Sequence, residues 1–92
     1  MYSKRTTVIN ETGLHARPAG AFAQTAKNFD CDITVKNVSS ANGSAVSAKS
    51  LIRIMSEELT KGTAIEISAD GPGEREAVEA LIALVNSGFN EE

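Results

Sequence analysis

The sequence has one cysteine, one histidine, two prolines and no tryptophan among 92 residues. A lone Cys31 cannot close an internal disulfide, which points to a reducing compartment. His15 and Cys31 together cannot build the ligand cages that hold structural zinc, and neither a metal nor a cofactor is expected. No apolar run approaches the roughly 20 residues of a membrane span. Residues 1–7 are polar and lack the apolar core of a secretion signal. A cytoplasmic protein with no membrane insertion is therefore expected. Aromatic residues make up 4% of the chain, and acidic residues outnumber basic ones by twelve to nine. A nucleic-acid binder needs a basic footprint and stacking platforms, so that class is disfavoured. No G-x-S-x-G elbow is present, which counts against a Ser-His-Asp hydrolase. The length allows one domain over residues 1–92, with one thin core.

What is present reads as short elements with clear punctuation. Residues 6–9 are a β-branched run and the predicted first strand. Ala19, Phe22, Ala23, Ala26 and Phe29 recur at helical spacing, so residues 16–28 are predicted as an amphipathic helix with Pro18 in its first turn. Ile33 and Val35 mark a second strand. Asn42-Gly43 is a hairpin signal, and residues 44–48 return as a third strand. Ser50 caps a short helix with Leu51, Ile54, Met55 and Leu59 on one face, followed by Gly62. Residues 63–69 form a fourth strand. After the Asp70-Gly71-Pro72-Gly73 loop, residues 74–87 form a last helix with Val78, Leu81, Ile82 and Val85 as its apolar stripe. The order β-α-β-β-α-β-α is an α+β pattern, with helices on one face of a mixed or antiparallel sheet and the other face solvated.

Charge is divided unevenly. Residues 1–56 hold seven basic and three acidic groups, and residues 57–92 hold two basic and nine acidic groups. The halves therefore carry +4 and −7. Arg17, Lys27, Lys49 and Arg53 could form a local basic face if the fold gathers them; otherwise they are ordinary solvated charges.

The most informative stretch is Gly13-Leu14-His15-Ala16-Arg17-Pro18-Ala19. His15 lies where a loop becomes a helix, and free N–H groups at a helix start attract anions. A neutral imidazole there is a nucleophile toward phosphorus, and Arg17 can aim a guanidinium at the same oxyanion. A histidine at a helix start is also a common surface residue with no chemistry.

The same stretch resembles the phosphohistidine motif of HPr, the histidine-containing phosphocarrier family of the phosphoenolpyruvate-dependent phosphotransferase system. Further resemblances follow in order: Ser47-Ala48-Lys49-Ser50-Leu51 leading into the second helix, Thr60-Lys61-Gly62-Thr63 before the fourth strand, and Glu76-Ala77-Val78-Glu79-Ala80-Leu81 in the last helix. The resemblance implies an open-faced β-sandwich, with three helices on a four-stranded antiparallel sheet of order 1-4-2-3. It implies that His15 accepts a phosphoryl group on Nδ1 from enzyme I and passes it to the A domain of an enzyme II. The backbone N–H groups of Ala16 and Arg17, with the Arg17 side chain, would hold that group. Such a protein is a covalent carrier rather than a stand-alone enzyme, and a monomer suits shuttling between partners.

Ser50 matches a serine that an ATP-dependent kinase phosphorylates in Gram-positive relatives, some of which act on a transcription regulator. Ser50 is also an N-cap by its position alone, and Ser47 is a competing cap. Two departures concern partners. Glu57-Glu58 stands where relatives commonly have a Leu-Gly pair, on the helix of the family's docking surface. Leu84-Val85-Asn86-Ser87-Gly88-Phe89 resembles the nitrogen-related paralogue NPr, which leaves sugar transport and a regulatory relay as alternatives.

Overall fold

The computed structural model describes residues 1–11, 13–39, 43–57 and 59–90. The elements are β1 (Tyr2–Thr7), α1 (Ala16–Ala26), β2 (Asp32–Asn37), β3 (Val46–Ser47), α2 (Leu51–Ser56), β4 (Ala64–Asp70) and α3 (Glu74–Asn86), followed by a 3-10 turn at Gly88–Asn90. The sheet order is β1-β4-β2-β3, with every pairing antiparallel. α3 packs over β1 and β4, α1 lies against α2 and α3, and α2 also meets β3. This is the two-layer, open-faced arrangement expected from the sequence.

The core fills the space between the layers. Phe22, Ala19 and Ala26 of α1 and Val78, Leu81 and Val85 of α3 are fully buried, and they meet Val35, Ile65 and Ile67 of the sheet. Along β4 the residues alternate, with Ile65, Ile67 and Ala69 buried and Glu66 and Ser68 partly exposed. This period of two selects the register, because a one-residue slip would turn the isoleucines outward. On the open face Ser3 Oγ donates to Ser68 Oγ at 2.8 Å, and Arg5 Nε reaches Glu66 Oε2 at 3.1 Å.

Element boundaries moved where local propensity was a poor guide. β1 covers Tyr2–Thr7 rather than residues 6–9. It is an edge strand whose side chains meet the flank of α3 or the polar open face of β4, so its polar sequence hid it. Val8 leaves the strand to become fully buried, held by its N–H on Thr63 O at 2.9 Å and its C=O on Gly62 N–H at 2.8 Å. α1 ends at Ala26, and Lys27 is its C-cap. β3 shrinks to two residues, with the Ala48 N–H still donating to Ile33 O at 2.9 Å. The Asn42 half of the predicted hairpin turn lies outside the described residues.

The largest correction concerns α2. Of its four predicted face residues only Ile54 and Leu59 are buried, and Leu59 lies beyond the helix. Leu51 and Met55 are exposed, and Ile52 is 79% exposed. A six-residue helix is about 9 Å long and has room for one core side chain. Gly88 ends α3 as expected, but the turn after it was not foreseen. Phe89 adopts φ 56 there and packs against the core.

β1 is fastened to α3 by polar contacts. Tyr2 OH donates to Glu79 Oε2 at 2.7 Å, Lys4 Nζ donates to Glu79 Oε1 at 3.0 Å, and Arg75 lies 5.2 Å from the Tyr2 ring centroid. The Lys4 ammonium, then the Tyr2 hydroxyl, hold the Glu79 carboxyl below its ordinary 4.5. A depressed carboxyl contributes stability above its unfolded pKa and loses it as pH falls through the folded value. Glu79→Gln should therefore unfold at a less pH-dependent urea midpoint below 4.5 than the wild type. Equal slopes for the two proteins would contradict this. Glu74, lowered by the Gly71 N–H and then the Met1 amine, leaves a residual slope in both.

Candidate functional site

The site is built by a clamped loop that feeds a helix. Gly13 has φ +65, and a Cβ there would lie 2.5 Å from Leu59 O and 2.7 Å from Thr60 Cα. Only glycine permits both that backbone sign and that approach. The Leu14 N–H then donates to Leu59 O at 2.7 Å, and Leu14 itself is buried. Leu14 thus pins one side of the loop, and the next residue, His15, is exposed.

His15 is the N-cap of α1, with extended backbone (φ −82, ψ −170) and no side-chain cap bond. Its carbonyl accepts the first helical bond from the Ala19 N–H at 2.7 Å, while its imidazole takes no part in capping. Pro18, buried in the first turn, has no N–H to offer. The N–H groups of Ala16 and Arg17 donate no hydrogen bond among the described residues. Two unspent donors at the positive end of α1 therefore adjoin an exposed imidazole, and the exposed Arg17 lies in the same turn. The arrangement suits a tetrahedral oxyanion bonded to His15. His15, Ala16 and Arg17 are all exposed to solvent.

The other predicted residues lie elsewhere. Ser50 is the N-cap of α2, and its Oγ accepts from the Arg53 N–H at 3.3 Å. Ser47 Oγ accepts from the Lys49 N–H at 3.2 Å, so Ser47 is not the helix cap. Of the four cations, Lys27 and Lys49 lie away from His15. Arg17 and Lys27 are separated by about 15 Å along α1, and Lys49 Nζ donates to Phe29 O at 2.7 Å, beyond the far end of that helix. Glu57 is the half-buried C-cap of α2, and Glu58 lies outside the described residues. Among the described residues no group of three or more His, Cys, Asp or Glu side chains could hold a metal, and no helix is long and apolar enough to cross a membrane.

Sequence reasoning overlooked two features beside this site. One is that Leu51, Ile52 and Met55 of α2 are all exposed, where the helical period grouped Leu51 and Met55 with the buried Ile54 and Leu59 and gave Ile52 no place. The other is Asn10, a buried polar residue whose Nδ2 donates to Gly13 O at 2.8 Å. Its spacing of three residues before a glycine was the available signal.

A family model described as "PTS HPr component phosphorylation site" matches residues 2–87. The chain belongs to the HPr family of phosphotransferase-system phosphocarriers. It is 49% identical over 86 residues to phosphocarrier protein HPr of Vibrio cholerae, covering 94% of this chain and 96% of that one. It is 40% identical over 93 residues to phosphocarrier protein NPr of Escherichia coli K12, spanning 100% of both. Among solved structures, HPr from Thermoanaerobacter tengcongensis superposes with a TM-score of 0.90 at 41% identity, covering 100% of this chain and 99% of that one. The HPr fold expected from the His15 motif is the fold observed.

Proposed function

We propose that this HPr-family chain carries a phosphoryl group on His15, taking it from phosphorylated enzyme I and giving it to the A domain of a sugar-specific enzyme II. The observation that supports this reading is the exposed His15 imidazole beside the unspent N–H groups of Ala16 and Arg17. In uptake the Nδ1 lone pair attacks phosphorus and a new N–P bond forms. The bond from phosphorus to the donor breaks, and its electron pair stays with the donor. The phosphoryl oxygens then lie against the two N–H groups and the Arg17 guanidinium, which share their charge. Delivery reverses these steps toward the acceptor. Much of the catalytic help comes from the partners, because an exposed imidazole on a rigid helix start must be reached by two of them in turn. The carrier works in the cytoplasm as a monomer, without nucleic acid.

The exposed Leu51, Ile52 and Met55 supply the apolar part of the docking surface, and Arg53 adds a charge to it. Ile52→Glu should slow transfer from enzyme I by roughly tenfold or more, the cost of spoiling one central apolar contact. Its urea midpoint should match the wild type, because the side chain is 79% exposed. Unchanged transfer would remove α2 from the docking surface. Phosphorylation of Ser50 by a serine kinase would place a dianion on the same helix and regulate docking through charge.

A carrier in a nitrogen-related regulatory relay is the second reading. It is supported by the full-length match to NPr proteins and by the Asn86-Ser87-Gly88-Phe89 ending. Incubation with phosphoenolpyruvate and enzyme I of either branch tests both. The expected product is an acid-labile adduct that peptide mapping locates on His15, formed faster with the cognate enzyme I. No adduct with either enzyme, or one located elsewhere, would overturn the proposal.

A further inference from the structure

We propose that Asn10 is a positioning residue for His15, acting through the carbonyl of Gly13; this rests on the phosphoryl-carrier reading above. Asn10 is 5% exposed, although asparagine is seldom buried without a specific task. Its side-chain Nδ2 donates to Gly13 O at 2.8 Å, and its backbone C=O accepts from the Gly13 N–H at 3.1 Å. One residue thus holds both polar groups of the glycine two places before the histidine.

That grip fixes a plane that matters. The Gly13 carbonyl shares a rigid peptide unit with the Leu14 N–H, and this N–H is bonded to Leu59 O. With the Gly13 carbonyl fixed on one side and the Leu14 donor on the other, the unit cannot rotate. The chain direction into His15 and the first N–H groups of α1 is set by it. Without the Asn10 donor, the carbonyl is anchored only through its own peptide N–H.

Gly88 lies close behind Asn10. A Cβ placed on Gly88 would lie 3.9 Å from Asn10 Cβ and from the Ile9 side chain. The end of α3 and its turn, where Phe89 takes a left-handed conformation unusual for a bulky residue, therefore back the loop that presents His15. A bulky residue held in that conformation marks a position that its surroundings over-determine.

The test separates positioning from general stability. Asn10→Asp keeps the shape but sets a carboxylate oxygen against the Gly13 carbonyl oxygen, and Asn10→Ala removes the donor. Val78→Ala is the control: it opens the core at a residue about 15 Å along α3 from Gly88. In either Asn10 variant the ring nitrogen resonances of His15 and the amide resonances of Ala16 and Arg17 should move. Phosphoryl uptake should fall by roughly tenfold or more, as expected for a small displacement of a reacting group. Val78→Ala should lower the urea midpoint and leave the His15 resonances unmoved. In the wild type, the Asn10 side-chain amide signal should shift when His15 is phosphorylated, a readout that needs no variant to fold. Unmoved His15 resonances in a folded Asn10 variant would overturn the inference, as would an Asn10 amide signal indifferent to phosphorylation. If the wild type takes up no phosphoryl group, the carrier reading fails, while the ring and amide resonances still decide the role of Asn10.

Discussion

His15→Ala should fold as the wild type does and take up no phosphoryl group at all. The two halves of that outcome have separate causes. The His15 side chain makes no capping bond and is exposed, so its removal deprives the fold of little. The carbonyl that starts α1 belongs to the backbone and survives the substitution. Replacing an N-cap that does no side-chain capping should change stability by less than about 1 kcal/mol. Chemistry fares differently, because no neighbouring side chain can substitute. Arg17 cannot act as the nucleophile, and Ser50 is engaged in capping α2. Urea denaturation and the acid-labile adduct, measured on the same sample, check both halves. Residual acid-labile adduct in His15→Ala would remove the histidine from the mechanism.

Gly13→Ala should do the opposite, disabling the site by damaging the fold. The added Cβ would fall within 2.5 Å of Leu59 O and 2.7 Å of Thr60 Cα, both backbone atoms with little freedom to retreat. It would also force an L side chain to φ +65, which costs about 1–2 kcal/mol by itself. With the overlap added, a loss of roughly 3–4 kcal/mol is expected, near the upper end for a single substitution. The Leu14 to Leu59 bond should be the first casualty. Phosphoryl uptake should then fall even at temperatures where the protein remains folded. A urea midpoint within the error of the wild type would show that the loop can relax, and that the clamp at Leu59 is weaker than its geometry suggests.

These outcomes also indicate how much the sequence reveals unaided. The helix start at His15 was legible because proline, glycine and an apolar period coincide within seven residues. The sheet order followed from the resemblance and not from any spacing in the strands. β1 was misplaced because an edge strand that binds α3 through Tyr2, Lys4 and Thr6 has no apolar alternation to display. Leu51 and Met55 share a predicted face with Ile54 and Leu59 yet are exposed, because a helical period reports which residues share a face, not whether that face meets anything. Asn10 went unnoticed because its role depends on Gly13 and Leu59, and Leu59 is distant in the chain. Of the four basic residues singled out, Arg17 lies in the first turn of α1, Lys27 and Lys49 lie at its other end, and Arg53 lies on α2.

The shortness of α2 has a consequence for how such carriers diverge. A helix that contributes one side chain, Ile54, to the core leaves its other positions nearly independent of folding. After a gene duplication each of those positions can change singly without passing through an unstable intermediate. The loop before His15 has no such freedom at Asn10, Gly13 and Leu14, whose polar groups are held by one another and by Leu59. On the docking role proposed for α2, partner choice can drift in a lineage while the chemistry at His15 stays fixed, because the two reside in separate segments of the chain.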